Sequence, residues 1–150
     1  MGVEFRLILA GDPAVEEVAA LTALDPREKP QPAANPRLFT ARLYDQRGYA
    51  VTVRAGTHGY YEAESDGDSR WEWEPETYVN VTFSMRADDL ADKGIPNMAT
   101  AVARVLAGQG EDAALIQDGN HLLLTRAGGI VRIHHADWWN HYRLAHLVTG

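Results

Sequence analysis

The residues best equipped for chemistry are the histidines and a dense block of carboxylates. Four of the six histidines, His134, His135, His141 and His146, lie near the C-terminus. Imidazole nitrogens bind zinc, and His134 and His141 are the pair a fold could bring together. The spacing is neither HExxH nor HxH, and the chain has no cysteine to complete a ligand set. His134 and His135, adjacent on an expected strand, point to opposite faces. His141 and His146, five apart on an expected helix, do not share a line. The competing reading is surface and helix-end imidazoles that titrate with pH. No metal site and no cofactor is assigned on this pattern.

Glu62 and Glu64 share one strand face, as do Glu72 and Glu74, and paired carboxylates can serve as acid and base in glycoside hydrolysis. A charged run on an edge strand serves equally to block aggregation. There is no Gly-x-Ser-x-Gly elbow and no cysteine nucleophile. The glycine-rich turns at 56–59 and 128–129 lack both GxGxxG and a following Lys-Ser/Thr, so they read as hairpins, not phosphate loops. No catalytic residue is assigned, and the chain is expected not to be an enzyme.

The block itself, Tyr60 to Pro75, is Tyr-Tyr-Glu-Ala-Glu-Ser-Asp-Gly-Asp-Ser-Arg-Trp-Glu-Trp-Glu-Pro. From Glu62 to Glu76, one residue past the block, the chain carries seven carboxylates against one cation, Arg70. Alternation in Trp71-Glu72-Trp73-Glu74 puts both indoles on one strand face and both carboxylates on the other. The indoles admit two readings. As core residues they anchor the sheet; as exposed residues they are interface anchors ringed by acids that steer a basic partner. Tyr60, Glu62, Glu64, Asp66, Asp68, Trp71, Glu72, Trp73 and Glu74 form the candidate partner-binding set.

A single domain over residues 1–150 must position these groups. Hydrophobic residues make up 45% and charged residues 23%, which is globular composition. The net charge of −7 argues against general nucleic-acid binding and favours solubility or a basic partner. No apolar run spans a bilayer, the N-terminus lacks a signal-peptide pattern, and the expected location is the cytoplasm.

Val3, Phe5, Leu7 and Leu9 alternate with Glu4 and Arg6 and predict a half-buried strand. Asp12 as cap and Pro13 at the first helical position open a helix with a Val15, Val18, Leu21, Leu24 stripe. Residues 25–36 read as a surface loop. A meander follows: Arg37–Tyr44, a turn at Asp45–Gly48, Tyr49–Ala55, Tyr60–Glu64, a turn at Asp66-Gly67, Arg70–Glu74 and Tyr78–Met85. Gly94-Ile95-Pro96 opens a second helix with Met98, Val102, Val105 and Leu106 on one face, stopped by Gly108 and Gly110. Asp112–Gln117, His121–Arg126 and Ile130–His134 make a second meander. Asp137 caps a short last helix whose Trp138, Trp139 and Tyr142 face the core. The result is an α+β fold, a mostly antiparallel sheet of two meanders with about three helices on one face. The halves echo each other in element order without a residue-level repeat.

Several blocks taken in order carry a family resemblance. They are Glu4-Phe5-Arg6-Leu7 with Ala10-Gly11-Asp12, Leu43-Tyr44-Asp45, Val53-Arg54-Ala55-Gly56, Trp71-Glu72-Trp73-Glu74-Pro75 and Gly94-Ile95-Pro96-Asn97-Met98. Glu111-Asp112-Ala113-Ala114-Leu115, Asn120-His121-Leu122-Leu123-Leu124 and Trp138-Trp139 complete them. Together they resemble the swarming-inhibition (Sit-type) immunity proteins of myxobacteria and actinobacteria. The resemblance implies a small cytoplasmic protein that binds and neutralises a cognate polymorphic toxin without catalysis; charge and hydropathy add the expectation of no nucleic-acid and no membrane partner. It carries over no catalytic residue and no toxin-contact motif. The rival expectation is a small-ligand-binding or enzymatic domain with Tyr44, Tyr78, Trp71 and His121 lining a concave sheet face. A third is a self-associating domain that pairs through its tryptophan face.

Overall fold

Apolar residues at every second position of Val3–Leu9 give the strand around which the rest is arranged. A computed structural model describes residues 2–33 and 38–149. The first half runs β1 (Gly2–Ala10), α1 (Val15–Thr22), β2 (Gln31–Pro32), β3 (Leu38–Leu43), α2 (Tyr44–Arg47) and β4 (Tyr49–Thr57). The middle holds β5 (Tyr61–Glu64), β6 (Arg70–Trp73), β7 (Thr77–Arg86) and α3 (Ile95–Gly108). β8 (Ala113–Gln117), β9 (His121–Ala127), β10 (Ile130–Ile133), α4 (Ala136–Tyr142) and α5 (Ala145–Thr149) complete it.

All ten strands join one sheet in the order β2-β3-β4-β7-β1-β8-β9-β5-β6, with β10 added to β9. Every pairing is antiparallel except a single parallel bridge, Glu64 to His121, between β5 and β9. β7 and β8 both run antiparallel to β1, which lies between them, so they are parallel to each other. Such a pair needs a crossover connection, and α3 supplies it.

One face of the sheet carries the main core. Phe5, Leu7, Leu9, Val51, Val53, Val79, Val81 and Phe83 pack there with Val18 of α1, the Met98, Val102 and Val105 stripe of α3, and Trp139 of α4. Each such side chain contributes roughly 1.5–3 kcal/mol over leaving it exposed. The indole N–H of Trp139 is not left orphaned: it donates to the Leu123 carbonyl at 2.8 Å. Trp138 and Tyr142 are half-buried against the same cluster, as their spacing predicts.

The structure changes several local expectations. α1 begins at Val15, with Ala14 in the cap position and no side-chain cap, so Asp12 does not cap it. Pro13 is buried, and Ala14 after it is still extended. Residues 25–33 are not wholly irregular: a 3₁₀ turn at Pro26–Glu28 precedes β2, which pairs with β3. Ala34 to Arg37, the end of that loop and the start of the expected strand, lie outside the described residues. The turn at Asp45–Gly48 is the short helix α2, closed by Gly48 at φ 86°. The last helix is two helices, and His135, not Asp137, holds the cap position of the first. β8, β9 and β10 pair consecutively as a meander should.

The larger correction concerns the first meander. β4 pairs directly with β7, from Tyr49 opposite Met85 to Thr57 opposite Thr77. The β5–β6 hairpin therefore does not sit between them. It leaves the end of the β4–β7 ladder and reaches the other end of the sheet, where β5 meets β9. Alternation predicts each strand correctly but not its neighbour, because a long ladder between two β-branched strands outweighs the shorter local pairing.

Candidate functional site

The hairpin of residues 58–76 is built to cover the second face of the sheet. His58 N donates to the Glu76 carbonyl at 2.7 Å and Gly59 N to that of Pro75 at 2.9 Å, so the two arms leave the ladder as a pair. Within the hairpin Tyr61 opposes Trp73, Glu62 opposes Glu72, Ala63 opposes Trp71 and Glu64 opposes Arg70. The period of two then sorts the side chains. Tyr61, Ala63, Trp71 and Trp73 turn inward onto Ile8, Ala114, Ile116 and Leu122, forming a second apolar cluster. Trp71, Trp73, Tyr61 and Tyr78 make a continuous aromatic chain with centroid separations of 5.8, 6.3 and 5.7 Å.

Tyr78 closes this chain because two glycines make room for it. A Cβ at Gly56 would lie 2.4 Å from the Tyr78 ring, and one at Gly59 would lie 2.9 Å from it. The Tyr61 hydroxyl donates to Asn80 Oδ1 at 3.1 Å, tying the hairpin to β7. Burial lifts the Tyr61 phenol to about 12.

The outward face is carboxylate. Glu72 and Glu74 are exposed, and Glu62 and Glu64 are half-buried. Glu62 and Glu72 stand directly opposite each other, an arrangement that repels. Glu62 is compensated locally: the Tyr60 hydroxyl donates to it at 2.8 Å, and Arg70 pairs with it across the hairpin. These bonds hold its carboxyl below the usual range, the tyrosine contributing most. Tyr60 is 54% exposed, which is high for a large ring.

The tip is pinned to the C-terminal helices. Asp66 and Asp68 are exposed in a 3₁₀ turn around Gly67 at φ 64°. Asp66 Oδ1 accepts from His135 N at 2.6 Å, just where the chain enters α4, and thereby supplies a cap from outside the helix. Its other oxygen lies 3.7 Å from His134 Nδ1. His134 Nε2 is 3.1 Å from Thr125 Oγ1, and burial pushes its imidazole down. Sequence reasoning missed this link, which joins residues 69 apart.

The nine candidate residues thus fall on two sides of one hairpin. Tyr60, Glu62, Glu64, Glu72 and Glu74, with Asp66 and Asp68 at the tip, look outward; Trp71 and Trp73 are half-buried beneath. The histidines do not assemble. His134 and His135 lie in the bend after β10, not on it, and His141 and His146 sit on separate helices. Among the described residues no group of three or more His, Asp or Glu is placed to hold a metal, and no helix is long and apolar enough to cross a membrane. Of Tyr44, Tyr78, Trp71 and His121, Tyr78 lines a cleft on the sheet face. Tyr44 instead stacks against Arg86, whose guanidinium carbon is 4.2 Å from the ring centre.

A sequence model described as SitI3-like matches residues 3–143, and the chain belongs to that family. Among curated proteins and among solved structures, nothing matches the chain.

Proposed function

We propose, from membership of the SitI3-like family, that this chain is a non-catalytic immunity-type protein that binds and neutralises a cognate polymorphic toxin in the cytoplasm. The docking surface in this reading is the outer face of the 58–76 hairpin: Tyr60, Glu62, Glu64, Asp66, Asp68, Glu72 and Glu74, with the exposed edges of Trp71 and Trp73. The observation that carries it is the like-charge pair Glu62–Glu72, facing outward on a hairpin already anchored by its inner face. Packing does not require carboxylates there, and a facing pair works against the hairpin. Arg70 and Tyr60 already offset the charge on Glu62, so a basic toxin surface would act chiefly on Glu72 and Glu74, which make no side-chain hydrogen bond or ion pair among the described residues. Neutralisation would then be steric occlusion aided by electrostatic steering, and an acidic patch suits the substrate groove of a nuclease toxin.

The test is capture from the native source with wild type and with Glu62, Glu64, Glu72 and Glu74 all changed to Gln, followed by association kinetics of the captured protein and a growth assay of its toxicity. The reading expects a toxic partner whose association slows with salt and is lost with the variant. A partner held equally by both would move the site off the hairpin, and salt-insensitive association would remove the steering.

A further inference from the structure

Beside the acidic hairpin lies a cleft of opposite character. It measures about 480 Å³, within the range of small-molecule sites, and adjoins a second cleft of about 520 Å³ through shared residues Arg6, Tyr60 and Tyr61. In a chain of net charge −7, no carboxylate among the described residues lines the 480 Å³ cleft, whereas Glu4, Glu62 and Asp118 line its neighbour. Its walls are Arg6, Arg54, His58, Thr52, Thr82 and the Tyr78 ring, with further polar groups behind them.

The sheet register explains the convergence. Thr52 of β4, Thr82 of β7 and Arg6 of β1 lie in one row across three strands. Arg54 lies in the next row, opposite Asn80. The two arginines therefore flank β7 on the same face, with backbones about 12 Å apart, two strand spacings across and two residues along. Side chains of that length can both reach an atom held over the middle strand.

Their hydrogen-bonding capacity is almost unused. Each guanidinium carries five N–H donors. Arg6 gives one bond, Nη2 to Glu4 Oε1 at 2.7 Å, and its Nε is buried with no partner among the described residues. Arg54 is exposed and makes no hydrogen bond or ion pair among the described residues. The carboxylates near the rim are already engaged: Glu62, next to Tyr61 in sequence, with Tyr60 and Arg70, and Glu76 with His58 at 3.1 Å. Two under-used guanidinium forks and two threonine hydroxyls around an open cleft match an oxyanion, which accepts bidentate and hydroxyl bonds and offers no competing donor.

We propose that this cleft binds a small carboxylate- or phosphate-bearing molecule, held between Arg6 and Arg54 over Thr82. The proposal does not depend on the toxin-binding reading: Tyr60 borders both surfaces, but the ligand is of opposite charge and its donors, Arg6 and Arg54, lie on β1 and β4 and not on the hairpin.

The test is a two-dimensional amide and arginine Nε–H NMR titration of the full chain with inorganic phosphate, citrate and a capped tetraglutamate peptide, in low-chloride buffer. Phosphate or citrate is expected to saturate shifts confined to Arg6, Arg54, Thr52, Asn80 and Thr82. Arg54→Gln, at an exposed position, should weaken binding about tenfold or more, and Arg54→Lys should restore part of it. Unchanged spectra away from the cleft confirm that the variants fold. Shifts that do not saturate, or saturate equally in Arg54→Gln, overturn the site. Saturation by the peptide alone overturns the small-molecule assignment.

Discussion

Gly56→Ala isolates the contact that seats the hairpin. Gly56 does not occupy the left-handed region, so alanine meets no backbone penalty there. Its Cβ would nonetheless lie 2.4 Å from the Tyr78 ring, which must retreat by roughly 1 Å to reach ordinary contact. The ring is not free to do so: it packs edge-on against Tyr61 at 5.7 Å and leaves no room for a Cβ at Gly59. Overpacking of this kind costs about 1–3 kcal/mol. Replacing a strand glycine returns up to about 1 kcal/mol through the unfolded chain. The net loss is about 0.5–2 kcal/mol, or about 1–8 °C in Tm for a chain of this size. Urea unfolding of Gly56→Ala, Tyr78→Ala and the double variant completes a cycle. Amide exchange at Glu64, whose N–H bonds the Asn120 carbonyl, reports the hairpin separately. The cycle should give a coupling of at least about 1 kcal/mol, with faster exchange at Glu64 in the single variant. A neutral or stabilising Gly56→Ala, or a coupling under about 0.5 kcal/mol, would refute the seating argument.

Other perturbations read other parts of the same frame. Arg126 donates to the carbonyls of Glu111, Leu106 and Gln109, clamping the turn between α3 and β8. Arg126→Met should cost about 2–4 kcal/mol in urea unfolding, with part recovered by Lys; a loss below about 1 kcal/mol would show that water replaces the clamp. Asp66→Ala should remove about 1 kcal/mol and speed exchange of the His135 amide; unchanged exchange would mean the cap is not formed in solution. The half-buried His134 imidazole is held below its usual range by partial desolvation. The unfolded chain then binds that proton more readily, so the contribution is full above about pH 6.5 and lost as pH falls through the lower folded value. His134→Gln should flatten the fall in stability between about pH 7 and about pH 5, and an unchanged slope would assign the fall to other groups.

What was legible in the sequence was local. Strand periodicity located β1, β4, β7, β8 and β9 to within a few residues, and the Met98–Leu106 stripe located α3, because each pattern reflects which face is buried. Pairing was less legible. A two-residue turn announces a hairpin, as between β9 and β10, but nothing in Tyr60–Glu74 says that this hairpin docks on β9 while its flanks pair with each other. Ile8 held a hint. It falls on the polar side of β1 beside Arg6, yet it is fully buried, because Trp71 and Trp73 belong to the cluster over it. The acidic stretch was legible as charge, and its indoles were not, since alternation assigns faces without saying which is covered. The cationic cleft was invisible in the sequence. Arg6 and Arg54 are 48 positions apart and meet only through the β4–β7–β1 register.

The two roles of the hairpin decide how its function can be tested. Its inner face covers Ile8, Ala114, Ile116 and Leu122, which would otherwise form an apolar patch on the sheet. Deleting residues 58–76 would expose that patch and disrupt Tyr78 and Asn80, so the product would associate for reasons unrelated to any partner. Loss of binding in a deletion is therefore uninformative. The outer carboxylates are separable from that role: Glu72 and Glu74 are exposed, and none of the four glutamates belongs to the second cluster. Changing the four to Gln removes charge while keeping shape, and it leaves Arg6 and Arg54 in place. The same variant thus separates the two charged surfaces. Partner binding should fall with the glutamates, and oxyanion binding should persist or strengthen as four nearby negative charges disappear. If the glutamine variant lost both, the two surfaces would be one site, and the division drawn between hairpin and cleft would be wrong.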